Sequence, residues 1–265
     1  MATKMPRVRL FGGRTPTGIN RLIVLVVGGA LALLLVVMMQ APPRPAYAAS
    51  DLLPDLRMAK LQNLKIENTS DGHKRLRFDS IIVNVGDGKF EVHGSRPDTN
   101  TAEMTVAQRI FDDAGGYRDV ATPAKMYYAG DGHNHWHVRD LEQYALIRLD
   151  NGAKVGTGAK HGFCFFDNYR FGSTQDPFYK GCANNQPDAL RVTMGLSTGW
   201  GDKYGSGLPD QYIDITDLTS GRYKLRATAD ADNWFSETNN TNNFTWVNIK
   251  ISGSSVSVIK YGPSA

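Results

Sequence analysis

The sequence predicts an all-β fold: an antiparallel, β-sandwich-like domain with long loops. Three observations carry this. Short runs alternate apolar and polar residues, as in Arg75–Val83 and Arg222–Ala229, which is the period of a half-buried strand. Turn-forming clusters such as Gly86-Asp87-Gly88 and Asp150-Asn151-Gly152 separate those runs. The chain is also rich in Gly, Asn, Asp and Thr, with no repeat of fixed period.

Residues 1–48 differ from the rest. They carry Lys4, Arg7, Arg9, Arg14, Arg21 and Arg44 and no acid, and Leu22–Met39 is an unbroken apolar run. A basic start, an apolar centre and the small-x-small Ala46-Tyr47-Ala48 read as a secretory signal peptide, with a mature chain from near Ala49. The alternative is an uncleaved membrane anchor, since the apolar run is just long enough to span a bilayer. Either reading places 49–265, the expected β domain, outside the cytoplasm. The formal charge of +4 comes from the leader, because the remainder holds 24 basic against 26 acidic residues. No cationic stripe argues for nucleic acid.

From Leu53 to about Asp113 short strands are expected, among them Leu61–Ile66, Arg75–Val83 and Lys89–His93. His73 and His93 read as surface residues. Residues 114–132 read as turn-rich and lead into Asp131-Gly-His-Asn-His-Trp-His137, where half of the six histidines fall within five residues.

Neutral imidazole is the commonest transition-metal ligand. Residues i and i+2 of an extended chain share a side, so two of these histidines can share one ion. Three cannot on a flat strand, where His133 and His137 would stand about 13 Å apart. The backbone must bend, and Gly132 and Asn134 tolerate a bend. The plain alternative is a strand of exposed histidines stacked on Trp136.

Glu142–Leu149 reads as a strand closed by the Asp150–Gly152 turn, and Gly156–Asp167 returns, carrying Lys160 towards Phe163, Phe165 and Phe166. Residues 168–195 form a long connection, and 195–215 holds five glycines. Arg222–Ala229 and Asn243–Ile251 flank an Asn-rich loop as a hairpin. Asn68, Asn239 and Asn243 lie in glycosylation sequons, relevant only in a host that glycosylates. Cys164 and Cys182 are the only cysteines. In an exported protein they pair as a disulfide, stabilising the fold by about 3 kcal/mol.

Taken together, His133-Asn-His-Trp-His137, Gly158-Ala-Lys-His-Gly-Phe-Cys164, Gly199-Trp-Gly-Asp-Lys-Tyr-Gly205, Gln211-Tyr-Ile-Asp-Ile-Thr-Asp217 and Glu237-Thr-Asn-Asn-Thr-Asn-Asn243 resemble the catalytic domain of the lysyl oxidase family. They stand in the family's order over about residues 130–251. The resemblance implies a copper amine oxidase with a quinone cofactor, lysine tyrosylquinone, made from its own side chains. It assigns copper to His133, His135 and His137, and the cofactor to Lys160 and Tyr204. Two departures bear on loop rigidity. Animal members have several disulfides where this chain can form one, and Trp200 stands where the animal pattern has cysteine. The collagen and elastin substrates of animal members do not transfer with the motifs.

That chemistry suits these residues. Free tyrosine titrates near pH ~10, so a metal must draw off its proton before it yields electrons. Lys160 can add to an oxidised ring only as the neutral amine, which apolar Phe163 and Phe165 would favour by desolvation. In the family a primary amine or protein lysine condenses with the quinone. A base removes its α-proton, and dioxygen reoxidises the cofactor, releasing aldehyde, ammonia and hydrogen peroxide. Asp202, Asp140 and His161 are the candidate bases, Asp202 being taken as catalytic with Lys160 and Tyr204. Strand alternation would turn His161 to the opposite face. Lys203 and Tyr212 are the nearest rivals for the cofactor pair. Two other classes stay open: a non-catalytic extracellular β-sandwich binding module held by a structural zinc, and a different copper enzyme needing neither Lys160 nor Tyr204.

Overall fold

The computed structural model describes residues 49–130 and 133–265. The expected leader over 1–48, its cleavage site and Gly132 lie outside the described residues. No helix forms among the described residues, so none is long and apolar enough to cross a membrane.

Among the described residues eighteen strands follow one another. The first seven are β1 (Asp51–Leu52), β2 (Leu56–Met58), β3 (Gln62–Asn68), β4 (Lys74–Asn84), β5 (Phe90–Ser95), β6 (Glu103–Asp112) and β7 (Tyr117–Ala129). The middle of the chain supplies β8 (His135–Arg139), β9 (Glu142–Arg148), β10 (Lys154–Thr157), β11 (Gly162–Phe163) and β12 (Tyr169–Arg170). Then come β13 (Arg191–Leu196), β14 (Trp200–Tyr204), β15 (Tyr212–Asp214), β16 (Gly221–Ala229), β17 (Phe244–Ser252) and β18 (Ser255–Tyr261).

They build three antiparallel sheets. One runs β11-β8-β7-β6-β5-β13, with β1 beside β6. The second runs β10-β9-β16-β17-β18. The third centres on β4, which pairs with β14, β15, β2 and β3, while β12 extends it beyond β14. One buried apolar cluster draws on all three: Phe78 and Ile82 of β4, Phe90 of β5, Trp136 and Val138 of β8, Leu146 of β9, and Leu225 of β16. Each such fully buried side chain contributes about 1.5–3 kcal/mol.

The all-β antiparallel reading is what the structure shows, and the alternating runs become β3, β4, β5, β9, β16 and β17. Two local expectations need correction. Residues 114–132 are not mainly turn, because β7 is a 13-residue strand. Its first half is solvent-facing, and Pro123 sits where its register with β6 shifts, Ala107 facing Ala121 but Thr105 facing Lys125. A bulge is where a strand tolerates proline. Residues 156–167 do not return as one strand. They split into β10 and β11, and Lys160 lies in the gap. The glycine-rich 195–215 contains β14, where a Cβ on Gly201 would sit 2.5 Å from the Ile82 carbonyl oxygen. Glycine here lets β14 lie close against β4.

Candidate metal and cross-link site

β7 and β8 form an antiparallel hairpin in which Ala129 faces His135 and Tyr127 faces His137. His135 and His137 therefore share one side of β8, while Trp136 and Val138 point into the core and are fully buried. Trp136 packs against Tyr128 and its indole N–H donates to the Gln186 carbonyl at 2.9 Å, so it does not stack on the histidines. His133 precedes the strand. Asn134 takes φ of 49°, a left-handed turn, and this is the bend that returns the first imidazole to the other two.

The three side chains converge. One ring nitrogen from each lies within 4.8 Å of the others. His137 Nε2 is 2.8 Å from His135 Nε2 and 3.5 Å from His133 Nδ1. Burial, then the nearby Lys160 charge, pushes His137 down to about 2, so it is a neutral imidazole at physiological pH. Its single Nε2 lone pair can accept only one N–H, yet two neighbours approach it. His133 Nε2 is buried without a hydrogen-bond partner. Spacings of 2.8 and 3.5 Å suit nitrogens flanking one ion at bond lengths of about 2.0–2.1 Å. An all-imidazole donor set fits Cu(II) or Zn(II). These residues fit a metal.

β11 fixes the other side of β8, Gly162 facing Arg139 and Phe163 facing Val138. A Cβ on Gly162 would stand 2.0 Å from the Tyr127 hydroxyl and 2.6 Å from His137 Nδ1. Tyr127 in turn packs edge-on against the His137 ring. Gly162→Ala is therefore expected to displace His137 and weaken metal binding by about tenfold or more, as loss of support behind a ligand does. Calorimetric titration of the metal-free protein checks this, and unchanged affinity would contradict it.

From this glycine the chain positions the remaining candidates. Lys160 is buried, with Nζ 5.0 Å from the Tyr204 ring centroid and 5.3 Å from that of Phe163. Phe163 packs edge-on against Tyr204. Phe165 does not serve Lys160, because β11 ends at Phe163 and Phe165 stacks on Phe90 in the core. Phe166 instead lines the cavity. Cys164 and Cys182 form a disulfide with Cα atoms 5.8 Å apart. The Tyr204 hydroxyl donates to the Cys164 carbonyl, and the Trp136 backbone N–H donates to that of Cys182 at 3.0 Å. The disulfide thus ties the histidine strand to the tyrosine.

β14 pairs with β4 so that Asp202 faces Ile82 and Tyr204 faces Ser80. Both side chains are buried on one side of the strand. One Asp202 carboxylate oxygen accepts from the Asn168 side-chain amide, while Oδ2 has no partner. Burial pushes the Asp202 carboxyl well up. Burial and the Asp202 charge likewise push the Tyr204 hydroxyl well up. His133, His135, His137, Lys160, Asp202 and Tyr204 line one cavity of about 450 Å³, completed by Phe166, Leu208 and Pro209.

The rivals go elsewhere. Lys203 borders the cavity, but its Nζ pairs with Asp79 at 2.9 Å. Tyr212 stacks under Arg75 and Arg77. His161 and Asp140 pair with each other at 3.0 Å, and His161 is 67% exposed. Neither lines the 450 Å³ cavity. His73 is exposed as expected. His93 is half-buried, bonded to Glu91 at 2.7 Å and Thr193 at 3.1 Å.

Sequence reasoning missed Glu142, which is buried at the head of β9. Glu142, Tyr144 and Leu146 share the inward face of that strand. A carboxyl at an inward position of a clear alternation was the available signal.

Comparison with known proteins assigns a family. The family model for lysyl oxidase matches residues 115–261. Lysyl oxidase homolog 3A of Danio rerio is 30% identical over 183 residues, 69% of this chain and 20% of that protein. Protein-lysine 6-oxidase of Homo sapiens is 30% identical over 135 residues, 49% of this chain and 30% of that protein. Lysyl oxidase homolog 1 of Homo sapiens is 33% identical over 127 residues, 47% of this chain and 20% of that protein. The chain belongs to the lysyl oxidase family. It spans between 20% and 30% of the length of these relatives.

Proposed function

We propose that this chain is an exported copper-dependent amine oxidase that converts primary amines to aldehydes with release of hydrogen peroxide and ammonia. His133, His135 and His137 hold the copper, and Lys160 and Tyr204 join to form the quinone. The observation that carries this is the Lys160 Nζ, 5.0 Å from the Tyr204 ring, in the cavity that the three imidazoles share. Copper supplies redox chemistry with dioxygen, and the quinone supplies an electrophilic carbonyl for the amine.

The side chains divide the remaining work. Phe163 covers one side of Lys160 and keeps water from its amine. Phe166, Leu208 and Pro209 form an apolar wall suited to the methylene stem of a small amine or of a protein lysine. Asp202 is the base for the α-proton: it is the candidate carboxyl inside this cavity, and burial strengthens it as a proton acceptor. A structural zinc reading fits less well, because such sites are closed by four protein ligands, whereas these three imidazoles face a cavity. Export of the chain through residues 1–48, by a cleaved signal or an anchor, would supply the oxidising compartment that a disulfide needs.

The test is peroxide release from copper-loaded protein given a primary amine in air. Amine-dependent peroxide is expected, and it should vanish when a chelator is present during copper loading. A copper-replete protein that releases none with either alkylamines or lysine peptides would contradict the proposal.

A further inference from the structure

The apolar wall of the cavity is carried by a turn that its own sequence leaves loose. Leu208 and Pro209 follow Gly205-Ser206-Gly207. Neither glycine is there for room, since a Cβ on either would meet nothing within 4 Å. Glycine loses more conformational freedom on ordering than any other residue, so a Gly-Ser-Gly segment costs more to fix than most turns. Leu208 is 39% exposed, so burial of its side chain does not by itself hold the turn in place.

Two charged side chains of β4 hold it instead. Arg77 and Asp79 stand two residues apart, on one side of the strand, and both are buried. Arg77 Nη1 donates to the Ser206 carbonyl at 3.2 Å and to the Leu208 carbonyl at 3.0 Å. Asp79 Oδ1 accepts the Ser206 backbone N–H at 2.7 Å. Ser206 is thus gripped at both its N–H and its carbonyl. Each grip is braced from behind. Arg77 Nε donates to Glu67 of β3 at 2.6 Å, and its guanidinium lies 5.4 Å from the Tyr212 ring of β15. Asp79 Oδ2 accepts from the Asn63 side-chain amide at 2.7 Å and pairs with Lys203 Nζ of β14 at 2.9 Å. The turn therefore receives charge-assisted hydrogen bonds from two fixed groups, each bond roughly twice as strong as a neutral one.

We propose that Arg77 and Asp79 are positioning residues for the substrate: they clamp Leu208 and Pro209 into a fixed wall, and that wall selects primary amines by the length of an apolar stem. The inference rests on the amine-oxidase reading above and adds to it a selectivity and the two residues behind it. A fixed wall takes each further methylene out of water, whereas a loose turn moves aside or lets water in. Contact with the stem is the same before and during the reaction. It therefore lowers KM and leaves kcat unchanged.

The test pairs turnover with a measurement that needs no copper. Copper-loaded protein is assayed for peroxide release with propylamine, butylamine, pentylamine and hexylamine. Deuterium uptake over residues 205–211 is timed on the metal-free protein. Wild-type kcat/KM is expected to rise about fourfold per added methylene, the contribution of one buried CH2, and the rise should lie in KM. In Arg77→Met the step is expected to fall below about twofold per methylene, with copper content and kcat for propylamine kept. Its uptake over 205–211 should quicken about tenfold or more, as loss of a hydrogen bond to a charged group implies. Asp79→Asn keeps the side-chain shape and is expected to change both readings in the same direction, so the test survives if Arg77→Met fails to fold. Variants with the wild-type step or the wild-type uptake would overturn the clamp. So would a loss confined to kcat, or a wild-type step already below about twofold. Wild type that binds copper and releases no peroxide with any of these amines would overturn the amine-oxidase reading and the selectivity with it, and unchanged uptake in the variants would overturn the clamp alone.

Discussion

Replacing Tyr204 by Phe is expected to abolish the 160–204 cross-link and to lower amine-dependent peroxide release by about a thousandfold or more, since covalent catalysis would be lost outright. The change removes one oxygen. It leaves the ring packed edge-on against Phe163 and beside the Lys160 ammonium. The hydrogen bond to the Cys164 carbonyl is lost, which costs about 1–3 kcal/mol if that carbonyl stays unpaired. The fold should therefore survive with a modest fall in melting temperature. The three imidazoles are untouched, so copper content should remain that of wild type. Metal analysis, peptide mapping and a peroxide assay on one preparation check all three points. Retained activity would show that the cofactor tyrosine is another residue.

The second large effect is at the metal. His137→Ala removes the nitrogen that both other histidines approach. Copper affinity is expected to fall by more than the ~10–100-fold that follows from losing a group behind a ligand. The cross-link should fail with it. The metal-free protein should lose little stability, because this imidazole is buried, neutral and poorly paired without an ion. Calorimetric titration with Cu(II), together with thermal unfolding of the metal-free variant, measures both. Wild-type affinity in His137→Ala would place the copper elsewhere.

Much of the framework is legible from local pattern. β9, β16 and β17 announce themselves because one face of each is buried and the other is more open, while β4, buried on both faces past Arg75, is legible from its long β-branched and apolar run. β7 does not, because its first half faces solvent and Pro123 interrupts it; only its register against β6 makes it a strand. β14 hides among glycines, since what it requires is room against β4, which no periodicity reveals. The histidine triad is legible because three histidines fall within five residues, and Asn134 supplies the turn that brings them together. The Lys160–Tyr204 pair is not legible from spacing. Forty-four positions separate the two, and their approach depends on β11 and β14, which belong to different sheets. Family resemblance supplied that pairing. A straight strand past Phe163 would keep Phe165 on the side of Lys160, but β11 ends at Phe163 and Phe165 turns to Phe90. Glu142 lies in the alternation of β9 at an inward position, and that position is its signal.

The most direct test is the covalent state of two side chains. Mature protein is prepared without metal, incubated with Cu(II) in air, digested and mapped by mass spectrometry, with a copper-free sample alongside. A peptide joining residues 160 and 204 is expected only in the copper-treated sample, together with a new visible absorbance. Copper bound at His133, His135 and His137 with Lys160 and Tyr204 both recovered unmodified would contradict the proposed chemistry.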